Sequence, residues 1–229
     1  MILAIETSGI FPSVGIIDLQ GREFYYKQLQ VKQTHAEQLG AMVNDALQYV
    51  HSKDSGMKLS AVAINEGPGS YTGLRIGSSL AKGLCFSMNL PLIAVRGMTG
   101  MGQNILQVNS ELQGVWVMLD ARRDEVYASL IPRQSQRNLS VKAMILPGDF
   151  AGNSKDAHLG FAGDCITKVA KLLSLEADTA MYEVLPSARD LYSLSLADFI
   201  SGNFRDVAYF EPFYLKEFEV GISKKFTVG

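Results

Sequence analysis

Residues 66–77, Glu-Gly-Pro-Gly-Ser-Tyr-Thr-Gly-Leu-Arg-Ile-Gly, constrain this chain more than any other stretch. They follow Ala61–Asn65, an apolar run that reads as a buried strand, and lead into an apolar run from Ile76 to Met88 long enough for a helix. The segment is therefore a strand–loop–helix junction. Gly67 and Gly69 allow a turn that a side chain would obstruct, and Pro68 stiffens it. Ser70 stands where a helix cap belongs. A helix start of this kind can bind an anion. It can equally be a tight connection with no ligand, and glycines alone do not separate the two.

The elements around the junction fall into a repeating order. Ile2–Ile5, Ser13–Leu19 and Arg22–Val31 read as strands, the last two joined at Gln20-Gly21. From Thr34 to Val50, Leu39, Met42, Val43, Ala46, Leu47 and Val50 recur at helical spacing, opposite Glu37, Asn44, Asp45 and Gln48. Strand Ala61–Asn65, helix Ser70–Met88 and strand Leu92–Val95 complete a βββαβαβ series. Helix Met98–Val108 follows. Strands are then expected at Gly114–Leu119, Glu125–Ile131, Val141–Leu146 and His158–Ala162, with helices at Asp164–Leu173 and Ala188–Ile200. Strands followed by helices a second time predict an α/β chain whose second half is a degenerate repeat of the first. The divide is expected between Gly97 and Gln113, giving subdomains 1–105 and 106–229.

Composition narrows the class. Of 229 residues 47% are apolar and 19% charged, against roughly 25% charged in typical domains, so the core is large and part of the surface suits cover by a partner. Net charge is −2 and no Lys/Arg run exceeds two residues, which argues against a protein that grips nucleic acid alone. Cys85 and Cys165 have neither metal nor redox spacing and read as reduced thiols of a cytoplasmic protein. Met1–Glu6 has no basic leader region. Lys82, Asn89 and Pro91 interrupt the most apolar stretch, Leu80–Val95, so no membrane span is expected.

Several blocks resemble the bacterial TsaB (YeaZ) family across essentially the whole chain. They are Met-Ile-Leu-Ala-Ile-Glu-Thr-Ser at 1–8, Thr-His-Ala-Glu-Gln-Leu at 34–39, and Gly-Pro-Gly-Ser-Tyr-Thr-Gly-Leu-Arg-Ile-Gly at 67–77. Asp120-Ala121-Arg122, Glu125-Val126-Tyr127 and Pro212-Phe213-Tyr214-Leu215 match as well. The resemblance implies the actin–hexokinase–heat-shock ATPase fold, ribonuclease H-like, with two related subdomains that each start with three antiparallel strands. That agrees with the βββαβαβ order. It also implies a part in making threonylcarbamoyladenosine beside the tRNA anticodon. There a TsaD-like subunit transfers the group, a TsaB-like chain is its non-catalytic partner and a TsaE-like ATPase joins them.

TsaD-like proteins hold a metal with HxxxH, two imidazoles one helical turn apart. The matching positions here are Gly97 and Met101, and His35, His51 and His158 lie in unrelated elements. No metal and no cofactor are expected. His35 has no evident partner for general-base chemistry and reads as packed or capping. Where TsaD-like proteins have a Gly-Gly turn near phosphates, this chain has Asp120-Ala121-Arg122-Arg123-Asp124. Glu6, Thr7 and Ser8 still match and form either a residual nucleotide loop or a polar hairpin turn that satisfies its own backbone. No catalytic residue is assigned. By resemblance, helices Thr34–Val50 and Ser70–Met88 form the partner face, with Leu39, Val43, Gly73, Arg75, Gly77 and Leu80 as its candidates. The same face would make a homodimer when the chain is alone, and tRNA would be reached only through the complex. The alternative is an enzyme of the same fold, an ATP-dependent phosphotransferase or a metallopeptidase.

Overall fold

The computed structural model describes residues 1–31, 35–53, 55–134, 139–150, 152 and 156–216. The first half runs β1 (Ile2–Glu6), β2 (Ser13–Ile17), β3 (Glu23–Gln28), α1 (His35–Lys53), β4 (Ala61–Asn65), α2 (Tyr71–Met88) and β5 (Leu92–Val95). The second runs α3 (Gly97–Val108), β6 (Gly114–Asp120), β7 (Glu125–Pro132), β8 (Lys142–Ile145), β9 (Leu159–Gly163), α4 (Ile166–Leu173), β10 (Met181–Glu183), a 3-10 turn at Ala188–Leu191 and α5 (Tyr192–Ser201).

The ten strands form two five-stranded sheets with one topology. The first has the order β3-β2-β1-β4-β5 and the second β8-β7-β6-β9-β10. In each, the first three strands pair antiparallel and the last two join in parallel; Ile2 faces Ile17 on one side and Ala61 on the other. This is the duplicated architecture of the actin–hexokinase–heat-shock ATPase fold. The central strands β1 and β4 are covered on both faces, and every residue of each is buried. That is why they read as unbroken apolar runs rather than alternating ones.

Successive residues of β1 point to opposite faces. Leu3 and Ile5 meet α1 and α2 through Leu39, Met42, Val43, Ala46, Ala81 and Cys85. Ile2 and Ala4 meet the 3-10 turn and α5 through Ala188, Leu191, Leu194 and Phe199. On the second sheet, Met98, Met101 and Ile105 of α3 pack on Val115, Val117 and Leu119, while Ile166 and Val169 of α4 pack on Met118 and Phe161. Helix α3 begins in the half the sequence assigns to the first subdomain yet covers the second sheet. Helix α5 does the reverse. The covering helices are thus exchanged between the two halves, each burying its apolar face on the other half's sheet.

Two further departures from expectation have local causes. Helix Ala188–Ile200 is broken at its start: Ser187 and Asp190 form a reciprocal capping box that holds one 3-10 turn before α5 begins. Strand β10 is not anticipated; its three residues carry no alternation and are held by parallel pairing to β9. After α5 the chain returns over the first subdomain. Arg205 N donates to Leu92 O at 2.8 Å, and Lys82 Nζ donates to the Ala208 and Phe210 carbonyls at 3.0 and 3.1 Å. No helix among the described residues is long and apolar enough to cross a membrane.

Candidate functional site

The glycine loop lands on the β1–β2 turn, and a hub formed by Asn65 joins them. Asn65 is the last residue of β4 and is 6% exposed. Its Nδ2 donates to Glu6 Oε2 at 2.7 Å and to Ser8 Oγ at 2.9 Å. Its Oδ1 accepts from Gly67 N at 2.9 Å and Gly97 N at 3.0 Å. One amide thus ties together the ends of β1 and β4, the glycine loop and the start of α3. Glu6 also accepts from Ser8 N at 2.5 Å.

Two N–H groups at the start of α2 are likewise met from within. Ser70 N donates to Ser8 O at 2.8 Å, and Ser70 Oγ caps the helix by accepting from Gly73 N at 3.2 Å. A Cβ on Gly73 would stand 2.0 Å from Thr7 O, and one on Gly77 2.3 Å from Thr7 Oγ1. The glycines are there to admit Thr7 and Ser8. Glu6, Thr7 and Ser8 are all buried.

A second buried acid adjoins Glu6. Asp190 accepts from Ser187 N at 2.9 Å and from Asn104 Nδ2 at 3.0 Å. Burial, and then the Glu6 charge, push its carboxyl up to about 7. Burial also raises Glu6, against the pull of its hydrogen bonds from Ser8 and Asn65. Gly100 of α3 touches the Asp190 backbone; a Cβ there would be 1.6 Å from Asp190 O. Neither Asn65 nor Asp190 is singled out by the sequence. The one signal was a lone amide closing an apolar strand just before a glycine loop.

At the positions that correspond to the histidine pair, Gly97 and Met101 are buried in the first turns of α3. A Cβ on Gly97 would meet Asn65 Nδ2 at 2.6 Å, so an imidazole does not fit there. Among the described residues no three His, Cys, Asp or Glu side chains gather to hold a metal ion. His51 and His158 are exposed on separate elements, and the His35 side chain lies outside the described residues. Burial pushes the Cys85 thiol up to about 11 and, with Asp164 second, Cys165 up to about 12, so neither is a thiolate nucleophile.

The matching turn of the second sheet, residues 120–124, is filled by a lysine. Lys168 of α4 donates to Asp120 Oδ1, to Arg123 O at 3.0 Å and to Glu125 O at 2.8 Å. Asp164 accepts from Asp120 N at 2.8 Å. Its carboxyl is raised chiefly by burial, with Asp120 adding to the rise.

The six partner-face candidates separate. Leu39 and Val43 are 1% and 3% exposed and belong to the sheet core. Gly73 and Gly77 face Thr7. Leu80 is half-buried beside Ile76 and Leu84 on the flank of α2 that packs on that core. Of the six, Arg75 alone is exposed, stacked over Tyr71. Helical spacing marks the apolar arc, and that arc faces the sheet. The outward surface of the two helices carries other small residues. Gly40 of α1 and Gly83 of α2 are exposed, and a Cβ on either would meet nothing within 4 Å. Phe86 of α2 is 87% exposed, beside an apolar groove of about 450 Å3 lined by Lys82, Asp206, Val207 and Ala208.

Residues 29–195 match the family described as TsaD, tRNA N6-adenosine threonylcarbamoyltransferase. The Escherichia coli protein named tRNA threonylcarbamoyladenosine biosynthesis protein TsaB is 28% identical over 193 residues, 80% of either chain. The Haemophilus influenzae protein of the same name is 32% identical over 140 residues, 60% of this chain and 56% of that one, so the match spans little more than half of the Haemophilus relative. A crystal structure titled YeaZ from Pseudomonas aeruginosa superposes with a TM-score of 0.72 at 27% identity, covering 93% of this chain and 99% of that one. A Pseudomonas aeruginosa protein described as uncharacterized, with similarity to peptidase YeaZ, gives a TM-score of 0.76 at 25% identity over 94% and 99%. With the family matched over well more than half of its residues and these structures alike nearly end to end, the chain belongs to the TsaB (YeaZ) branch of the TsaD family.

Proposed function

We propose that this chain is the non-catalytic partner of a TsaD-like subunit in threonylcarbamoyladenosine biosynthesis on tRNA, and that it docks through the outer faces of α1 and α2. The names of the relatives supply the pathway. The observation that supports the accessory role is the inward use of the glycine loop's donors. The N–H groups of Gly67, Ser70 and Gly73 are taken by Asn65, Ser8 and Ser70 itself, so three donors of the loop and helix start are turned inward. A glycine loop packed this way on Thr7 and Ser8 serves architecture, and the active site belongs to the other subunit. A TsaE-like ATPase completes the assembly, and tRNA is held by the assembly rather than by this chain of net charge −2.

Gly40 and Gly83 support the docking face. A glycine inside a helix costs about 1 kcal/mol relative to alanine, and neither position gives anything back within this chain. Small residues on two adjacent helices let another helix pair approach closely, and Phe86 offers an apolar anchor at the rim. In isolation the same face would serve a two-fold homodimer, so self-association and partner binding would compete.

The test is reconstitution with the TsaD-like and TsaE-like subunits, with modified tRNA measured by mass spectrometry. The isolated chain should show no ATP hydrolysis, peptidase activity or tRNA modification. Gly40→Leu and Gly83→Leu should stay folded by circular dichroism and lose at least tenfold in affinity for the TsaD-like subunit. Wild-type affinity in both folded variants would refute the docking face. Turnover by the isolated chain, abolished by a substitution in it, would refute the accessory role.

A further inference from the structure

The chain leaves the first sheet at Arg96, between β5 and α3, and returns to it through residues 184–187, between β10 and the 3-10 turn. The two passages meet. Gly97 N donates to Asn65 Oδ1 at 3.0 Å and Ala188 N to Ser13 Oγ at 2.8 Å. A Cβ on Gly100 would be 1.6 Å from Asp190 O, so α3 crosses the turn in backbone contact. Asn104 Nδ2 donates to Asp190 Oδ1 across the same crossing at 3.0 Å. Helix α3 covers the second sheet and the turn covers the first, so the crossing is a place where the helical layers of the two sheets touch.

Two carboxyl groups are buried at this crossing, those of Glu6 and Asp190. Their four oxygens accept from four neutral donors: Ser8 N and Asn65 Nδ2 on Glu6, Ser187 N and Asn104 Nδ2 on Asp190. The elements packed against the turn are α3, α5, β1, β2 and β4, and none of them contains a Lys, Arg or His. Their titratable side chains are Glu6, Tyr192 and Asp198. The Tyr192 hydroxyl lies against Gly15, and Asp198 stands two turns along α5. Arg189, in the turn itself, faces away, bidentate on Glu23 at 2.7 Å and stacked over Tyr26. Two adjoining carboxylates out of water repel far more strongly than in it, so the pair keeps a proton that an exposed acid would lose. The Asp190 carboxyl is accordingly pushed up to about 7, by burial and then by the Glu6 charge.

We propose that Glu6 and Asp190 are a proton-operated latch on this crossing: with one proton on the pair α3 stays closed on the 3-10 turn, and with none the two part. The proton is exchanged with water. Helix α3 is the element that gives. Its first six residues hold three glycines, Gly97, Gly100 and Gly102, and its N-cap residue Arg96 makes no side-chain cap bond. The Arg96 guanidinium is held instead by Glu66 Oε1 and Leu139 O. The start of α3 therefore depends on its contacts with Asn65 and Asp190 rather than on its own propensity. Strands β1 and β4 are buried throughout and stay fixed. The closed form is complete in mild acid, the open form grows as pH rises through 7, and acidification closes it again.

The test is amide hydrogen exchange of the full chain between about pH 6 and about pH 8.5, with each rate divided by the intrinsic rate at that pH. Protection of residues 97–102 should fall at least tenfold further over this range than protection of α4, which packs on the opposite face of the second sheet. In Asp190→Asn, which keeps the shape and has no proton to lose, the extra fall should vanish. An equal fall in both helices would mean that the pair acts on the whole fold and would overturn the latch. No fall in α3, or a wild-type response in a folded Asp190→Asn variant, would overturn it as well. Should that variant not fold, carbon-13 titration of the wild-type carboxyl groups decides. The Glu6 and Asp190 signals must then share a pH midpoint with the change in exchange at α3, and separate midpoints overturn the latch.

Discussion

Replacing Asp190 by asparagine should make the protein more stable in mild alkali and leave it little changed in mild acid. Asp190 is 8% exposed and adjoins Glu6, a second acid fully out of solvent, with no cation paired to either among the described residues. Burial, with the Glu6 charge second, raises the Asp190 carboxyl from 3.8 to about 7. The folded protein therefore holds this proton more tightly than the unfolded chain does. That advantage is complete below pH 3.8 and is lost as pH rises through 7. A displacement of roughly three pH units corresponds to about 4 kcal/mol at ~1.4 kcal/mol each. Burial raises Glu6 as well, so the two acids form a coupled pair.

Asparagine keeps the shape and cannot ionise. It can accept from Ser187 N through its oxygen and donate to Asn104 once that amide turns over, at a cost of about 1 kcal/mol for the rearranged bond. The net gain is about 2 to 3 kcal/mol at pH 8.5, or roughly 5 to 10 °C in melting temperature for a chain of this size. Thermal and urea unfolding of both proteins from pH 5 to 9 would measure it. The wild-type curve should fall with pH and the variant curve should be flatter. A wild-type stability constant from pH 5 to 8, or a variant less stable than wild type at pH 8.5, would refute the reasoning. The second outcome would mean that the carboxylate's bonds to Ser187 and Asn104 outweigh its burial.

Gly73→Ala should destabilise by at least about 3 kcal/mol, seen as a lower urea midpoint, because the new methyl would sit 2.0 Å from the Thr7 carbonyl. Gly40→Ala and Gly83→Ala should each stabilise the isolated chain by about 0.5 to 1 kcal/mol, since their methyls meet nothing; a loss of stability in either would show a contact within the monomer. Ser195→Ala should be neutral or raise stability by about 1 kcal/mol in thermal unfolding, because the Ser195 hydroxyl is buried with no hydrogen-bond partner among the described residues.

Strand positions were legible in the sequence because buried strands leave apolar runs, and β1, β4, β5, β6 and β7 stand close to where those runs put them. The cap at Ser70 was legible because it depends on neighbours a few residues away. What spacing could not resolve was the outward side of α2. Small residues surround that helix, with Gly73, Gly77, Ser78 and Ala81 against the sheet and Ser79 and Gly83 away from it. When small residues occupy both sides, periodicity gives an arc without saying what lies beneath it. The glycines of the family block at 67–77 therefore looked like a docking surface and proved to be packing for Thr7. Asn65 and Asp190 were hidden for a different reason: their partners lie 59 and 86 residues away, so only the closed fold brings them together. Glycines that a partner needs differ from glycines that the fold needs in one testable respect. Alanine at Gly73 should unfold the chain and block assembly alike, whereas alanine at Gly40 or Gly83 should improve folding while weakening assembly. A set of variants in which folding and assembly always move together would leave no glycine to assign to a partner, and the docking face would have to be sought off these two helices.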